Sequence, residues 1–222
     1  RPENILAVTF TKKASGEMLE RVRSLLKDLG LDITNLPMIG TFHSIGANML
    51  RKKAQEIGLL HNFSIYDSDD SENLIKEIML EMQIDIKQIK PKAIAHFIEA
   101  AKNDMVTPAQ FSNHFGGYIE DITAKIYPVY QAQLKAQNSV DFGDLLFLAV
   151  KMLEENKEVR EYYQNKFKYI LIDEYQDTNN AQYRFAKLLS EKNQNICVVG
   201  DDDQGIYAWR GADIKNIQSF EK

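Results

Sequence analysis

Apolar positions along the chain follow two patterns, one typical of strands and one typical of helices. Short apolar runs that end in polar residues or glycine predict parallel strands buried in a sheet, and they lie at residues 4–10, 38–42, 168–172 and 196–199. Residues 14–29 instead place apolar side chains at helical spacing, and Gly30 follows the last of them. This alternation predicts an α/β fold with a parallel sheet.

The middle of the chain differs, because almost all of its apolar positions recur at helical spacing. It contains one short extended piece at residues 63–66, and helices are predicted to begin near Asp67, at Pro91 and near Ile119. The alternation of strands and helices returns after residue 138. We therefore predict an inserted all-helical subdomain at residues 46–138, and one α/β domain formed by residues 1–45 and 139–222.

Acidic residues stand directly after two of the predicted strands. Asp173 and Glu174 follow the third strand, and Asp201 begins an acidic run after the fourth. In open α/β sheets, ligands bind beyond the carboxyl ends of the strands. Mg²⁺ favours one or two carboxylates together with waters and phosphate oxygens, and a neighbouring carboxylate can deprotonate an attacking water. Taken singly, either segment also fits a buried strand that ends in a solvated acidic turn.

The residues that follow these acids favour a nucleotide site over a solvated turn. Gln204 and Arg210 are hydrogen-bond donors suited to a phosphoryl group, and Tyr207 and Trp209 are aromatic platforms of the kind on which bases stack. A single tryptophan is usually a core residue. Trp209, however, lies in a polar segment flanked by glycines and not on a periodic apolar face, which favours stacking.

Several of these segments resemble motifs of superfamily 1 DNA helicases, in the UvrD/Rep/PcrA family. Residues 173–179 are similar to the family's Walker B motif, and residues 200–212 are similar to its next, glutamine-bearing motif. Three upstream segments match further motifs in the same order, at residues 7–14, 40–44 and 140–146. The resemblance covers essentially the whole chain. It implies a partial RecA-like P-loop NTPase domain, interrupted by a helical subdomain.

The resemblance also implies roles at the nucleotide site. It assigns Asp173 to Mg²⁺, and Glu174 to metal binding and to activation of the attacking water. It assigns Gln204 to sensing the terminal phosphate of ATP. Arg210 would contact phosphate or pair with Glu174, and the sequence leaves both roles open.

Other matched residues are implied to contact DNA. Phe10 occupies the position of a base contact, beside Thr11 and Lys12, where the family more often has Asn in place of Lys12. Thr41 and His43 match the next DNA-contacting motif, and the resemblance places Tyr207 and Trp209 against bases. A core phenylalanine at Phe10 and a satisfied loop histidine at His43 are the structural alternatives. Asp141 and Asp144 belong to a motif in which Gly143 replaces the more usual acid, and we interpret both as structural.

The function that the resemblance implies is ATP-dependent 3′–5′ DNA helicase or translocase activity, in DNA repair or replication, in the cytoplasm. ATP and Mg²⁺ would be the cofactors, and single-stranded DNA and single/double-strand junctions the partners. An alternative of a different class is a non-catalytic DNA- or partner-binding module that has kept the motifs of a motor. A subunit of a helicase–nuclease complex is disfavoured, because no nuclease-like segment is present.

Composition narrows these options in a few respects. The chain has 222 residues, 44% of them hydrophobic and 27% charged, which supports a packed core. A net charge of −5 argues against a simple basic nucleic-acid binder. No apolar run is long enough for a membrane span. We predict Cys197 to be an inert buried thiol inside its strand.

The start of the chain predicts a fragment. It begins with Arg1, enters a strand almost at once, and contains no G-x-x-x-x-G-K-[ST] phosphate loop. We therefore expect the 222-residue chain alone to be inactive as an ATP hydrolase.

Overall fold

Four parallel strands form the main sheet, and a separate pair forms a second, smaller sheet. The computed structural model describes residues 1–31, 33–205, 212 and 216. The strands are β1 (Ile5–Thr9), β2 (Met38–Thr41), β3 (Ser64–Tyr66), β4 (Ser139–Asp141), β5 (Tyr169–Ile172) and β6 (Ile196–Val198). The helices are α1 (Lys12–Asp28), α2 (Phe42–Lys52), α3 (Ser68–Glu81), α4 (Pro91–Asn103), α5 (Phe111–His114), α6 (Tyr118–Ala136), α7 (Asp144–Glu155), α8 (Lys157–Lys166) and α9 (Asn180–Ser190). The predicted α/β class with parallel sheets is confirmed.

The main sheet has the strand order β2-β1-β5-β6, and every pairing in it is parallel. Helix α1 connects β1 to its neighbour β2, which is one edge strand of the sheet. Helix α9 connects β5 to its neighbour β6, which is the opposite edge strand. The direction of winding therefore changes between β1 and β5. Such a switch point is where open α/β sheets bind ligands.

At β5 and β6 the two faces of the main sheet are buried to different extents. Side chains alternate between faces along a strand, and Ile170 and Ile172 on one face of β5 are almost completely buried. On the other face, Leu171 is 43% exposed and its register partner Cys197 is also exposed. The expectation that β5 and β6 are buried strands, with Cys197 as a buried thiol, was therefore wrong on that face. A continuous apolar run does not reveal that one of its faces is left open.

The chain divides into two compact units. Residues 1–48 and 150–222 form the first, which contains the main sheet, and residues 49–149 form the second. In the second unit, α3, α4 and α6 pack around an apolar core that includes Ile78, Ile94 and Tyr127. Among the described residues, no helix is long and apolar enough to cross a lipid bilayer. The boundaries of the predicted helical subdomain, at 45/46 and 138/139, remain a prediction.

Local signals in the sequence account for most helix starts. The side chain of Thr11 caps α1, Asp67 forms a capping box at α3, and Pro91 is the first residue of α4. Sequence patterns missed β4, which pairs in parallel with β3 in the second unit. Three residues between two helices carry too little alternation to be recognised as a strand.

A cluster of buried charges lies in the second unit. Lys102 on α4 is 1% exposed. Its Nζ lies 2.6 Å from Asp141 Oδ2 and 2.8 Å from Asp144 Oδ1. The hydroxyl of Tyr130 donates to Asp141 Oδ2 at 2.9 Å, and the amide of Gln131 donates to both oxygens of Asp144. All carboxylate oxygens of Asp141 and Asp144 accept hydrogen bonds inside the unit, in agreement with the structural interpretation of these two residues.

The pKa values of the two carboxylates in this cluster are shifted in opposite directions. Burial and the nearby charge of Asp141 raise the pKa of Asp144 to about 6, although Lys102 opposes the shift. Burial alone would raise the pKa of Asp141 too, but the ammonium of Lys102 outweighs it, so this pKa is lowered. Protonated Asp144 therefore stabilises the folded state at pH values below the pKa that this group has in the unfolded chain. This contribution to the free energy of unfolding is lost as the pH rises through about 6. Asp141 stabilises the folded state in its ionised form, and this contribution to the free energy of unfolding is lost as the pH falls.

Replacing Lys102 with Met should destabilise the protein strongly, because it leaves two buried carboxylates without a cation. Breaking a buried ion pair in this way costs roughly 3–5 kcal/mol. The loss of unfolding free energy should grow between pH 4 and pH 7. In the unfolded variant Asp141 and Asp144 release their protons over this range, whereas in the folded variant, without Lys102, they retain them. Urea unfolding at several pH values measures it. Lys151→Met is the matched control, because Lys151 and Glu155 form an exposed pair, and such pairs contribute about 0–1 kcal/mol. Similar small losses in both variants would show that Lys102 does not compensate the two buried carboxylates.

Candidate active site at the carboxyl ends of the strands

Residues predicted for the site follow each of the four strands of the main sheet. Because the strands are parallel and paired in register, their carboxyl ends meet at one edge of the sheet. The loop after β1 carries Phe10, Thr11 and Lys12, and β2 ends at Thr41, just before His43. Asp173 and Glu174 follow β5, and a loop that contains Gln204 follows β6. The fold therefore brings these predicted residues to the same edge, all within the first unit.

Asp173 and Glu174 are held by backbone bonds that extend the sheet beyond β5. The amide of Asp173 donates to Val8 O at 3.0 Å, and the amide of Tyr175 donates to Val199 O at 2.9 Å. Between these two anchors, Glu174 adopts a left-handed backbone conformation, with φ of 52°. This conformation costs a non-glycine residue on the order of 1 kcal/mol, and such strained residues occur at functional sites as well as in ordinary turns. The side chain of Glu174 is exposed at the edge of the sheet.

The acids at this edge fit the preference of Mg²⁺. Asp173 Oδ1 accepts a bond from the Glu174 amide at 3.1 Å. Its other oxygen has no hydrogen bond to a described residue and is available as a ligand. No group of three or more His, Cys, Asp or Glu side chains in the described part of the chain could enclose a metal ion. Mg²⁺ does not need such a group, because it takes one or two carboxylates and completes its shell with water and phosphate oxygens.

The loops after β5 and β6 are joined by side-chain hydrogen bonds. Gln176 Nε2 donates to Glu174 Oε2 at 2.7 Å, and Gln176 Oε1 accepts from the Asp201 amide at 3.0 Å. Gln204 Nε2 in turn donates to Asp201 Oδ2 at 2.6 Å. Sequence reasoning missed Gln176. The signal for it was its position two residues after Glu174 in a turn, where its side chain can return to the carboxylate.

The loop after β1 opens helix α1 at the same edge. Thr11 Oγ1 accepts the Ala14 amide at 3.0 Å as the cap of α1, and Lys12 is exposed at the first turn. Phe10 is half-buried and meets the ring of Phe42 edge-on, at a centroid distance of 5.9 Å. A helix start with a nearby cation favours anions such as phosphate. Phe10 is thus in the core on one side and accessible on the other.

Thr41 and His43 lie at the start of α2. Thr41 Oγ1 accepts the Ser44 amide at 3.2 Å, so this hydroxyl caps the helix. Burial lowers the pKa of His43 to about 4. His43 is therefore neutral near pH 7. Tyr207, Trp209 and Arg210 lie outside the described residues, so their predicted roles rest on the sequence.

The residues after β5 shape the loop and cap the next helix. Asn179 forms a capping box with Gln182 at the start of α9, and Thr178 Oγ1 donates to Tyr175 O at 2.7 Å. These side chains hold the turn that carries Glu174.

A parallel α/β sheet with an Asp-Glu pair at its switch point has the architecture of a nucleotide-binding domain. A family model of the UvrD/REP helicase N-terminal domain matches residues 1–222. The chain is 48% identical over 221 residues to the ATP-dependent DNA helicase PcrA of Bacillus subtilis, and 46% identical to that of Staphylococcus aureus. The chain belongs to the UvrD/Rep helicase family. The alignments cover 100% of this chain but 29% and 30% of those two relatives.

Gly40, the third residue of β2, packs closely against the first turn of α2. A Cβ at this position would lie 2.6 Å from Ser44 Oγ, and this hydroxyl donates to Thr41 O at 2.9 Å. The next nearest atom, Ile45 Cγ1, would lie 3.5 Å away, at an ordinary contact distance. Ser44 is thus the main obstacle to a side chain at Gly40.

Gly40→Ala should therefore destabilise the protein by about 1–3 kcal/mol, the usual cost of overpacking. Ser44→Ala removes the obstructing oxygen, so Gly40→Ala should cost much less in that background. Denaturant unfolding of the two single variants and the double variant gives the coupling energy. Additive losses would contradict the assignment of the clash to Ser44.

Proposed function

We propose that this chain is part of an ATP-dependent DNA helicase or translocase. It would move 3′–5′ along single-stranded DNA and open duplex at single/double-strand junctions, in DNA repair or replication. The observation that carries the proposal is the meeting of site residues from four strands at one edge of the sheet. Two curated relatives that align with the whole chain are named ATP-dependent DNA helicase PcrA. We also propose that residues 46–138 form a helical subdomain inserted into the motor domain.

At the nucleotide, Asp173 and Glu174 would hold Mg²⁺ through carboxylate oxygens. When bound, the ion would neutralise charge on the phosphates of ATP. Glu174 would accept a proton from the attacking water, and its exposure at the sheet edge leaves room for that water. Gln204 would donate to an oxygen of the terminal phosphate, and Arg210 would contribute a phosphate contact or pair with Glu174.

At the DNA, Phe10 would contact a base, and Lys12 and Thr11 would lie near the backbone phosphates. Thr41 and His43, at the end of the neighbouring strand, would extend this surface, with His43 as a neutral group. Tyr207 and Trp209 would stack on bases. Because Gln204 precedes these aromatics in one segment, a shift at the phosphate would be passed to the DNA contacts.

Glu174→Gln in the full-length protein should reduce ATP hydrolysis by about 10²–10⁴-fold, the usual contribution of a general base. ATP affinity should change little, because the base acts on the transition state more than on the bound substrate. Steady-state hydrolysis, ATP titration and unwinding of a duplex with a 3′ single-stranded tail measure these effects.

Glu191→Gln is the matched control, because Glu191 follows α9 and precedes β6, at the opposite end of the strands. It should hydrolyse ATP at the parental rate. Parental activity in Glu174→Gln would rule out this carboxylate as the base. A full-length parent with no hydrolysis at all would favour the non-catalytic binding module.

Trp209→Ala should weaken binding of single-stranded DNA by about 1–3 kcal/mol, the usual value of one base stacked on an aromatic ring. The loss should be similar for oligonucleotides of different base composition, because stacking uses the face of a base and not its hydrogen-bonding edge. The salt dependence of binding should stay nearly unchanged, because no phosphate contact is removed. Titration of labelled oligonucleotides into the full-length protein at several salt concentrations tests this.

Tyr169→Ala is the control for loss of an exposed aromatic ring. Tyr169 is the first residue of β5 and is 53% exposed, at the amino end of the strands. This variant should bind DNA as the parent does. Unchanged affinity of Trp209→Ala, together with a large drop in its melting temperature, would identify Trp209 as a core residue instead.

A further inference from the structure

The side-chain amide of Gln176 connects the loops that follow β5 and β6. Its Nε2 donates to Glu174 Oε2 at 2.7 Å, and its Oε1 accepts from the Asp201 amide at 3.0 Å. The residue is 2% exposed. A buried amide whose donor and acceptor are both engaged is firmly oriented, because releasing either bond would leave a buried polar group unsatisfied.

The local backbone explains how Gln176 reaches both loops. After the left-handed Glu174, residues Tyr175–Asp177 form a single 3₁₀ turn, closed by the Asp177 amide donating to Glu174 O at 3.0 Å. The turn is also fixed to the end of β6 by the bond from the Tyr175 amide to Val199 O. The side chain of Gln176 thus lies between a strand-end carboxylate and the loop of the next strand.

The connection continues beyond Asp201. Asp201 Oδ2 accepts from Gln204 Nε2 at 2.6 Å, and Asp201 Oδ1 accepts from the Asp203 amide at 3.1 Å. The backbone of Gln204 also donates to Asp201 O at 3.1 Å. A continuous series of hydrogen bonds therefore joins Glu174 to Gln204 through Gln176 and Asp201.

This series restricts a carboxylate that would otherwise turn freely. The Glu174 side chain is exposed, and a charge-assisted bond from a neutral amide is stronger than a bond between two neutral groups. Gln176 engages Oε2 of Glu174, and within the described residues no hydrogen bond is made to Oε1. The carboxylate is thus held with one oxygen fixed and the other directed away from Gln176.

We propose that Gln176 is a positioning residue for ATP hydrolysis: its amide orients Glu174 towards the attacking water and couples it to the Asp201–Gln204 loop. The proposal rests on the function proposed above. Gln176 itself touches no reacting atom in this account. A general base misplaced by about 1 Å can lose on the order of 10²-fold in rate, so the bond from Gln176 would affect kcat more than ATP binding.

Two variants separate the bonds of Gln176. Gln176→Glu keeps the size of the side chain and an acceptor for the Asp201 amide, but it replaces the donor to Glu174 with a second carboxylate oxygen. Gln176→Met keeps a similar size and removes both bonds. Gln164→Glu is the matched control, because Gln164 is 5% exposed and its Nε2 donates to Leu188 O at 2.7 Å on another part of the first unit.

In the full-length protein, Gln176→Glu should lower kcat for ATP hydrolysis by about 10²-fold, while the affinity for ATP changes little. Gln164→Glu should lose stability to a similar degree but keep its kcat. Adding Gln176→Glu to Glu174→Gln should cause little further loss, because the group that it orients is already gone. Parental kcat in both Gln176 variants would overturn the proposal, and so would equal losses of kcat in Gln176→Glu and Gln164→Glu.

Hydrogen exchange of the Asp201 amide in the full-length protein tests the bridge between the two loops, that is, the hydrogen bond from this amide to Gln176, without reference to catalysis. Exchange should be faster than parental in Gln176→Met and close to parental in Gln176→Glu, which keeps the acceptor. A parental exchange rate of the Asp201 amide in Gln176→Met would show that Gln176 does not engage this amide. If Glu174→Gln hydrolyses ATP normally while the exchange results hold, the assignment of Glu174 as the base fails and the bridge between the loops remains.

Discussion

The parallel pairing of β2, β1, β5 and β6 is the constraint on which the candidate site depends. The register sets Thr9 opposite Thr41 and Val8 opposite Ile172, so the strands end at nearly the same level. Backbone bonds continue past those ends, from the Asp173 amide to Val8 O and from the Tyr175 amide to Val199 O. The acidic turn is therefore held by both neighbouring strands. Residues far apart in sequence meet because a parallel sheet places every carboxyl end at one edge.

Strand order adds a second constraint to this arrangement. Because β1 lies between β2 and β5, its following loop is beside the acids on one side and beside the start of α2 on the other. Phe10 illustrates the result, since its ring packs against Phe42 after β2, while Thr11 and Lys12 begin α1. The loop after β1 therefore lies next to the residues that follow both neighbouring strands.

Elements with strong local signals were predicted from the sequence, and those that depend on distant partners were not. The strand at residues 4–10 and the helix starts at Asp67 and Pro91 follow from apolar periodicity and capping chemistry, which act within a few residues. The exposed face of β5 was missed, because the run Tyr169–Ile172 has the same composition whether or not that face is covered. Lys102 gave no signal, because its two carboxylate partners lie 39 and 42 positions further along the chain. Gln176 was missed for the same reason, since its second partner, Asp201, belongs to the next strand's loop.

The chain uses paired acids in two opposite ways, and the neighbours of each pair decide which. Asp141 and Asp144 are surrounded by Lys102, Tyr130 and Gln131, whose donors occupy their oxygens and keep them buried. Because the oxygens of this pair already accept hydrogen bonds, the pair has little capacity to bind an ion. Asp173 and Glu174 instead lie at an open sheet edge, where a backbone amide and one side-chain amide engage a single oxygen of each. Because one oxygen of each carboxylate accepts a hydrogen bond, the side chains are oriented, and the other oxygen of each remains accessible to a cation or a water. The same residue types are therefore enclosed at one strand end and accessible at another, and the difference lies in how many donors the fold places around them.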